Sequence, residues 1–158
     1  MMSAILGEEI KRALADPGTV RAVATVGKDG APHIAFKQSL RLRGDGNLEY
    51  DEGIETSQTN KNLVYSIWFG KTVSISLLTP DRCGYNIVGR PLRVLIAGRE
   101  FRTHYTAARE ERGDIDLSAV WVIEPVASYE QSFDKRRQEE EAAHPLLQHL
   151  DRLTVTGQ

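Results

Sequence analysis

Near its start the chain has a stretch of alternating residues, a tight turn and a second extended stretch. Residues 20–26 place small or apolar side chains on one face and Arg21, Val23 and Thr25 on the other. The turn that follows is Gly27-Lys28-Asp29-Gly30, and its Asp-Gly pair supplies the left-handed backbone conformations that tight hairpins need. Residues 31–43 are extended again. This order predicts a β-hairpin, which favours a fold built on an antiparallel sheet.

Four more segments have the pattern of strands, namely residues 48–51, 72–79, 84–97 and 117–127. In the last of them Trp121 and Ile123 alternate with Val120 and Val122. A turn at residues 80–84 joins two of these segments, so we expect them to be antiparallel neighbours. Most strands are followed by a turn or a short helix rather than by a regular crossover. The pattern therefore predicts a mainly β fold of six antiparallel strands closed into a small barrel.

The second strand of the hairpin, residues 31–43, has two different faces. One face is apolar apart from a single amide and is expected to pack, and it comprises Ile34, Phe36, Gln38, Leu40 and Leu42. The other face is more polar and comprises His33, Ala35, Lys37, Ser39 and Arg41. The polar face could meet a ligand, although it could equally be the solvated side of an antiparallel strand.

Helices are predicted at both ends of the chain and between the strands. The first runs over residues 3–15, with Ser3 as its N-cap and Leu6, Ile10 and Leu14 on one face. A second helix ends near Gly70, and a third covers residues 101–111. We expect the second helix to bury Leu63, Ile67 and Trp68.

The C-terminal segment, residues 134–153, is helical in pattern but differs from the rest in composition. Residues 134–143 are dense in charge, and four leucines form an apolar stripe after Pro145. We expect the leucines to pack on the barrel or on a second subunit, while the charged run is a solvated face. No repeat or linker divides the chain, so residues 1–158 are interpreted as a single domain.

Charge and composition exclude several classes of function. A formal net charge of −2 gives no footprint for nucleic acid or anionic lipid, and 7% aromatic residues do not suit an oligonucleotide-binding barrel. No apolar run is long enough to cross a membrane, and no secretory signal is present, so a cytoplasmic protein is expected. Cys83 is the only cysteine, and the four histidines are scattered, so no metal site is predicted.

The start of the second helix, residues 56–63, carries hydroxyls and a lysine but no acid. A helix start has unpaired N–H groups and a partial positive charge, so acids are favoured there and a lysine is not. An anion bound by backbone amides, the Ser57 or Thr59 hydroxyl and the Lys61 ammonium would make the arrangement favourable, and a phosphate would suit. The alternative is a capped surface helix with a solvated lysine.

Several motifs in order carry a resemblance to a known family. Residues 22–33 read AVATVGKDGAPH, and they are followed by the short strand ending in Tyr50, by residues 57–63 and 68–78, and by GYNIVG at residues 84–89. In this order and spacing the chain resembles the FMN-binding split-barrel family related to pyridoxamine 5'-phosphate oxidase. The resemblance covers about residues 19–126, most of the chain.

The resemblance implies a six-stranded antiparallel Greek-key barrel that forms a homodimer, with two FMN sites along the subunit interface. It places the flavin against the second strand and its phosphate near the turn at residues 56–61. Lys61 matches the basic residue of that turn. The implied cofactor-binding residues are Ile34, Ala35, Phe36, Lys37, Gln38, Ser39, Thr56, Ser57, Thr59 and Lys61.

Two departures argue against pyridoxamine 5'-phosphate as the substrate. The phosphate turn has Asn60-Lys61 where that oxidase has two adjacent basic residues, and the tail at residues 151–156 lacks the proline of the substrate-contacting segment. The functions left open are a flavin-dependent oxidoreductase of unknown substrate, a non-enzymatic flavin or electron carrier, and a relative that binds haem or deazaflavin. No catalytic side chain is identified, since in a flavoprotein the cofactor supplies the redox chemistry.

Overall fold

The computed structural model describes residues 5–145, which form seven strands and four helices. In chain order the elements are α1 Glu8–Ala15, β1 Val20–Val26, β2 Pro32–Phe36, β3 Arg41–Leu42, β4 Leu48–Glu52, α2 Gln58–Phe69, β5 Val73–Leu78, β6 Gly84–Leu95, α3 Gly98–Arg112, β7 Ala119–Glu130 and α4 Phe133–Ala143. Among the described residues, none of the helices combines the length and apolar character that crossing a membrane requires.

All seven strands belong to one curled sheet in which every pairing is antiparallel. The strand order is β2-β1-β5-β6-β7-β4-β3, so the two edge strands follow each other in the chain. Residues 37–40 bridge these edges, because the Lys37 amide still donates to Arg21 O of β1 while the Ser39 hydroxyl accepts from the Asp51 amide of β4. The mainly β split-barrel architecture expected from the sequence is confirmed.

The strand count is seven rather than six because the second strand of the hairpin is broken. Residues 31–43 were expected to form one strand, but a turn closed by the Leu40 amide and Lys37 O separates β2 from β3. The Leu40 side chain is fully buried at this bend. Burial of Leu40 in the barrel thus redirects the chain from the β1 side of the sheet to the β4 side.

The faces of β2 are also reversed relative to expectation. Ile34 and Phe36 are 66% and 73% exposed on the outside of the barrel, so the apolar face of this strand does not pack within the chain. Lys37 instead turns its ammonium inward, where it lies 3.1 Å from the carboxylate of the buried Glu52. Alternation correctly grouped Ile34 with Phe36, but this pair lies on the outer face, whereas Leu40, predicted on the same face, is buried after the bend.

The barrel interior contains the main core. Its largest fully buried side chains are Trp121, Tyr50, Leu40, Leu48, Leu63, Ile75, Leu77, Ile87 and Ile123. Ile10 and Leu14 of helix α1 join this cluster, and so does Leu6, which lies before the helix begins. The helix itself begins at Glu8 with Gly7 as N-cap, later than residue 3, and Ser3 lies outside the described residues.

A second, smaller core lies outside the barrel, beneath α3. It joins Ala108 of α3 to Leu117 and Val120, with Phe101 and Tyr105 packed beside them. Because α3 covers this side of β7, both faces of the strand are buried there, and Val120 is as inaccessible as Trp121.

Helix α2 buries a different face from the one expected. Leu63 is fully buried as predicted, but Ile67 is 39% exposed and Trp68 is 79% exposed. The face of α2 that packs on the barrel carries Thr59, Asn62, Leu63 and Ser66, which are mostly polar. The helix therefore presents its larger apolar side chains to the outside.

Helix α4 ends at Ala143, where residues 134–153 were expected to be helical. It buries none of its residues. The predicted leucine stripe, residues 146–153, lies outside the part of the chain that the structure describes.

Candidate functional site

The start of α2 is capped by Ser57, one of the two hydroxyl residues that the sequence analysis assigned to a bound anion. Ser57 is the N-cap, and its hydroxyl accepts a hydrogen bond of 3.0 Å from the Asn60 amide. The first turn of the helix contains no acid. The opposite end is closed by Gly70 in the left-handed conformation that favours glycine.

Buried amides fix the position of this helix start against the sheet. Asn60 Oδ1 accepts from the indole N–H of Trp121 at 2.7 Å, and Asn62 Nδ2 donates to the Thr25 hydroxyl of β1 at 3.0 Å. Gln58 Nε2 donates to Asn62 Oδ1 at 2.8 Å. Asn62 also packs directly on Gly27, the first residue of the hairpin turn. The start of α2 and the β1–β2 turn are therefore held together as one unit.

A cleft of about 360 Å³ opens between that turn and the helix start, and Lys28, Asp29 and Gln58 line it. Lys28 belongs to the turn, while Lys61 lies exposed one turn into α2. Among residues 5–145, neither lysine has a hydrogen bond or ion pair with a carboxylate. A helix start with no acid thus has two free ammonium groups on the elements that surround it.

Thr59 differs from the other hydroxyl residues of the turn. It is 1% exposed, and its hydroxyl has no hydrogen-bond partner among the described residues. Buried hydroxyls nearly always have a partner, so Thr59, on the face of α2 that packs on the barrel, is an exception. Thr56, by contrast, is exposed.

The outer face of the sheet beside this cleft has an apolar border and a floor of small side chains. Phe36 of β2 lies opposite Ala22 of β1, which lies opposite Ser76 of β5. In the next row Ile34 lies opposite Ala24, followed by Ser74, whose hydroxyl donates to Asn86 Oδ1 at 2.8 Å. Small side chains beside exposed Ile34 and Phe36 leave a shallow surface on which a planar ring can lie.

Three of the predicted site residues have side chains engaged in protein contacts. Lys37 Nζ pairs with Glu52 and lies 5.3 Å from the centre of the Tyr50 ring. Gln38 Nε2 donates to Thr19 O at 2.6 Å, which satisfies the amide that the sequence placed among apolar residues. The Ser39 hydroxyl is bonded to the main chain of Asp51.

The partners of Lys37 form a buried polar group inside the barrel. Tyr50, which is fully buried, donates to Glu52 Oε2 at 3.0 Å, and the Ile54 amide donates to Glu52 Oε1 at 3.1 Å. Burial, together with the neighbouring Glu52 carboxylate, raises the pKa of Tyr50 well above its ordinary value. The tyrosine is therefore a neutral hydrogen-bond donor at physiological pH.

A second polar cluster, on the far side of the barrel, fixes α3 to the sheet. Carboxylate and imidazole atoms of Glu49, Glu100 and His104 lie within 4.8 Å of one another, a spacing that could hold a metal ion. Arg43, however, already bridges Glu49 and Glu100 at 2.8 Å each. Burial lowers the pKa of Arg43, but these two carboxylates outweigh it and raise the pKa overall. The arrangement is an ion-pair cluster whose counter-charge is supplied by the protein.

The structure thus brings the start of α2, residues 56–61, and the second strand to neighbouring positions, since α2 contacts both β1 and β2. Sequence reasoning did not place Lys28 and Gln58 at this cleft, or Asn62 beside it. The signal for Lys28 was its place in the hairpin turn, but its proximity to α2 depends on the contact between Thr25 and Asn62, which are far apart in sequence.

No protein-family model matches the chain, and no curated protein does. Solved structures do match. HupZ from Group A Streptococcus has a TM-score of 0.67 at 24% identity, over 81% of this chain and 95% of that one. An FMN-binding protein from Syntrophomonas wolfei has a TM-score of 0.63 at 17% identity, over 79% and 86% of the two chains. A putative pyridoxamine 5'-phosphate oxidase from Lactobacillus delbrueckii has a TM-score of 0.61 at 18% identity, over 78% and 93%.

Proteins whose names refer to F420 or to heme share the fold as well. They include an F420 reductase, with a TM-score of 0.60 at 20% identity over 80% of this chain and all of that one. HutZ, a heme storage protein from Vibrio cholerae, has a TM-score of 0.59 at 15% identity over 79% and 94%. At these identities the match establishes the fold alone. The chain is accordingly a split-barrel protein with the fold of the FMN-binding proteins related to pyridoxamine 5'-phosphate oxidase.

Proposed function

We propose that this protein is an FMN-dependent oxidoreductase that acts as a homodimer. The observation that carries the proposal is the start of α2, where Lys61 and the neighbouring Lys28 have no carboxylate partner among residues 5–145. A doubly charged phosphate there would be bound by two ammonium groups and by the free amides of the first turn.

The flavin ring is assigned to the outer face of the sheet beside β2. Ile34 and Phe36 would border the ring, Ala35 lies between them in the strand, and the small side chains of β1 and β5 would form its floor. Lys37, Gln38 and Ser39 belong to the strand end that borders the ring, with their side chains held in the protein contacts described above. Thr56 and Ser57 lie at the phosphate end.

A second copy of the chain would cover the apolar surface that remains. Ile34 and Phe36 of β2 and Val64, Trp68 and Phe69 of α2 are all more than two-fifths exposed. Large exposed apolar patches on soluble proteins mark interaction sites. A homodimer formed through this face would enclose the flavin between subunits and would explain why α2 buries polar side chains and exposes apolar ones.

Bound FMN would supply the redox step by exchanging electrons or hydride with a reduced donor and a small molecule. The chain's own residues do the binding and orienting: Lys61 and Lys28 hold the anionic end, and β2 positions the ring. The polar group of Lys37, Glu52 and Tyr50 keeps the end of β2 in place. A carrier without turnover would use the same contacts, so it is the second candidate function.

The phosphate assignment is tested by comparing FMN with riboflavin, which lacks the phosphate. A charge-assisted hydrogen bond contributes about 1.5–3 kcal/mol, so Lys61→Gln should weaken FMN binding about tenfold or more. Riboflavin affinity should not change. Flavin fluorescence quenching measures both affinities, and Lys71→Gln, an exposed lysine beyond the other end of α2, is the matched control. Equal FMN affinity of the Lys61→Gln and Lys71→Gln variants would remove Lys61 from the site.

The visible spectrum of the purified protein separates the possible cofactors. Flavin absorption with release of FMN on denaturation supports the proposal, whereas a Soret band, or tighter binding of F420 than of FMN, would contradict it. Anaerobic addition of NADH or NADPH to the FMN-loaded protein then separates enzyme from carrier. Rapid bleaching of the flavin is expected of the oxidoreductase. A flavin that stays oxidised with both nucleotides, and for which no other donor supports turnover, indicates a carrier.

A further inference from the structure

Helix α4, Phe133–Ala143, buries little surface against the rest of the described chain. It buries none of its residues, and the Phe133 side chain at its start is 73% exposed. Within residues 5–145 this polar helix has the ion pair of Lys135 with Glu130 of β7 at 2.7 Å but buries no face, so it has little to stabilise it, because most helical stability in proteins comes from burying one face.

The order of charges in α4 does not stabilise the helix either. Apart from Asp134, the bases Lys135, Arg136 and Arg137 come first and the acids 139–141 come last, which is the reverse of what the helix dipole favours. Pairs within the helix, such as Arg136 with Glu139 at 3.3 Å, are exposed and have the base on the N-terminal side, the weaker orientation.

The same charge order is self-complementary for an antiparallel copy. Consider a twofold axis that crosses α4 at right angles at Gln138. A residue before Gln138 in one copy then faces the residue that lies equally far after Gln138 in the other copy. Phe133, Arg136, Glu140 and Ala143 lie on one helical stripe, so Arg136 would face Glu140 twice and Phe133 would face Ala143 twice. All four residues are exposed. A twofold contact uses one patch on both partners, and antiparallel helices align their dipoles favourably.

We propose that α4 is a self-association surface, and that a second copy of the chain docks on it antiparallel through the Phe133, Arg136, Glu140 and Ala143 stripe. The contact needs no flavin, and it is distinct from the β2 and α2 face that the proposed FMN-binding dimer uses. It explains why a helix with unfavourable charge order and an exposed phenylalanine follows β7.

The test exchanges charges between copies. In Arg136→Glu both facing positions are acidic, and in Glu140→Arg both are basic, so each variant alone should associate about tenfold more weakly than the wild type in sedimentation equilibrium. Mixing the two variants restores opposite charges at both contacts. The mixture should therefore form mixed assemblies in excess over random exchange, which native mass spectrometry detects, and this excess should vanish in about 1 M salt.

Arg102→Glu and Glu110→Arg on α3 carry the same charge changes and are the controls. Both should associate like the wild type. Random exchange between the Arg136→Glu and Glu140→Arg proteins, or unchanged association of either alone, would overturn the α4 contact. Neither result bears on the FMN proposal, because flavin binding is measured separately on each variant and should be unaffected by these substitutions.

Discussion

Replacing Gly27 with alanine tests how the hairpin turn and the start of α2 are held together. A Cβ at residue 27 would overlap the side-chain oxygen of Asn62 and lie 3.1 Å from its Cγ. Asn62 is 2% exposed and bonded to both Thr25 and Gln58, so its amide cannot move aside without breaking those hydrogen bonds. The backbone of Gly27 is not in the left-handed region, so alanine introduces no backbone strain there.

The cost follows from what the displaced amide leaves behind. Displacing Asn62 deprives the Thr25 hydroxyl of its buried donor, and an unsatisfied buried polar group costs about 1–3 kcal/mol. We expect Gly27→Ala to lower the free energy of unfolding by about 2 kcal/mol, which corresponds to a fall in Tm of about 4–8 °C for a chain of this size. FMN affinity should fall with it, because the helix start would shift.

Urea unfolding followed by circular dichroism measures the change. Gly44→Ala is the control, since a Cβ at that glycine meets no atom within 4 Å. The cause is tested by a double-mutant cycle with Asn62→Ala, which removes the overlapping amide. In that background Gly27→Ala should cost almost nothing. If Gly27→Ala is as stable as Gly44→Ala, or costs the same with and without Asn62, the proposed contact does not hold the turn.

Two further predictions concern the barrel interior and the apolar face. Burial and Glu52 raise the pKa of Tyr50 in the folded state, whereas the unfolded tyrosine loses its proton near pH 10. The free energy of unfolding should therefore fall as pH rises above about 10, and Tyr50→Phe should reduce this dependence on pH. Urea unfolding at a series of pH values measures it, and an unchanged dependence in Tyr50→Phe would assign the loss to other groups. Trp68→Glu should disrupt the proposed β2 and α2 dimer without lowering stability, because Trp68 is 79% exposed. The control Ile96→Glu should leave the dimer intact. Light scattering measures the masses, and equal masses for both variants would contradict that interface.

The strands and the hairpin were predictable because alternation and turn residues are local signals. The sequence did not predict which face of each strand points into the barrel and which points outward. Ile34 and Phe36 form an apolar face, but such a face can pack on the chain's own core or on a partner, and the sequence pattern is the same for both. Lys37 can turn inward only because the Glu52 carboxylate, which is hydrogen-bonded to Tyr50, pairs with its ammonium there.

Helix α2 shows the same limit. Its inner face was missed because Thr59 and Asn62 are polar, and their burial depends on Thr25 in a distant strand rather than on helical periodicity. The hydroxyls and the acid-free first turn were read correctly, since these depend only on neighbouring residues, but the cap was left as an alternative and was not assigned to Ser57. Lys28 could not be placed beside them without the fold.

The pairing of β4 with β7 has a consequence for synthesis of the chain. In the sheet, strand β4 lies between the two-residue β3 and β7, with Tyr50 opposite Trp121. On the ribosome, β4 therefore emerges long before its main partner and carries apolar Leu48 and Tyr50 with an open edge until residue 119 and beyond have been translated. Non-local pairing of this kind is slow and leaves nascent chains open to aggregation, so this strand is a target for a chaperone that binds extended apolar segments.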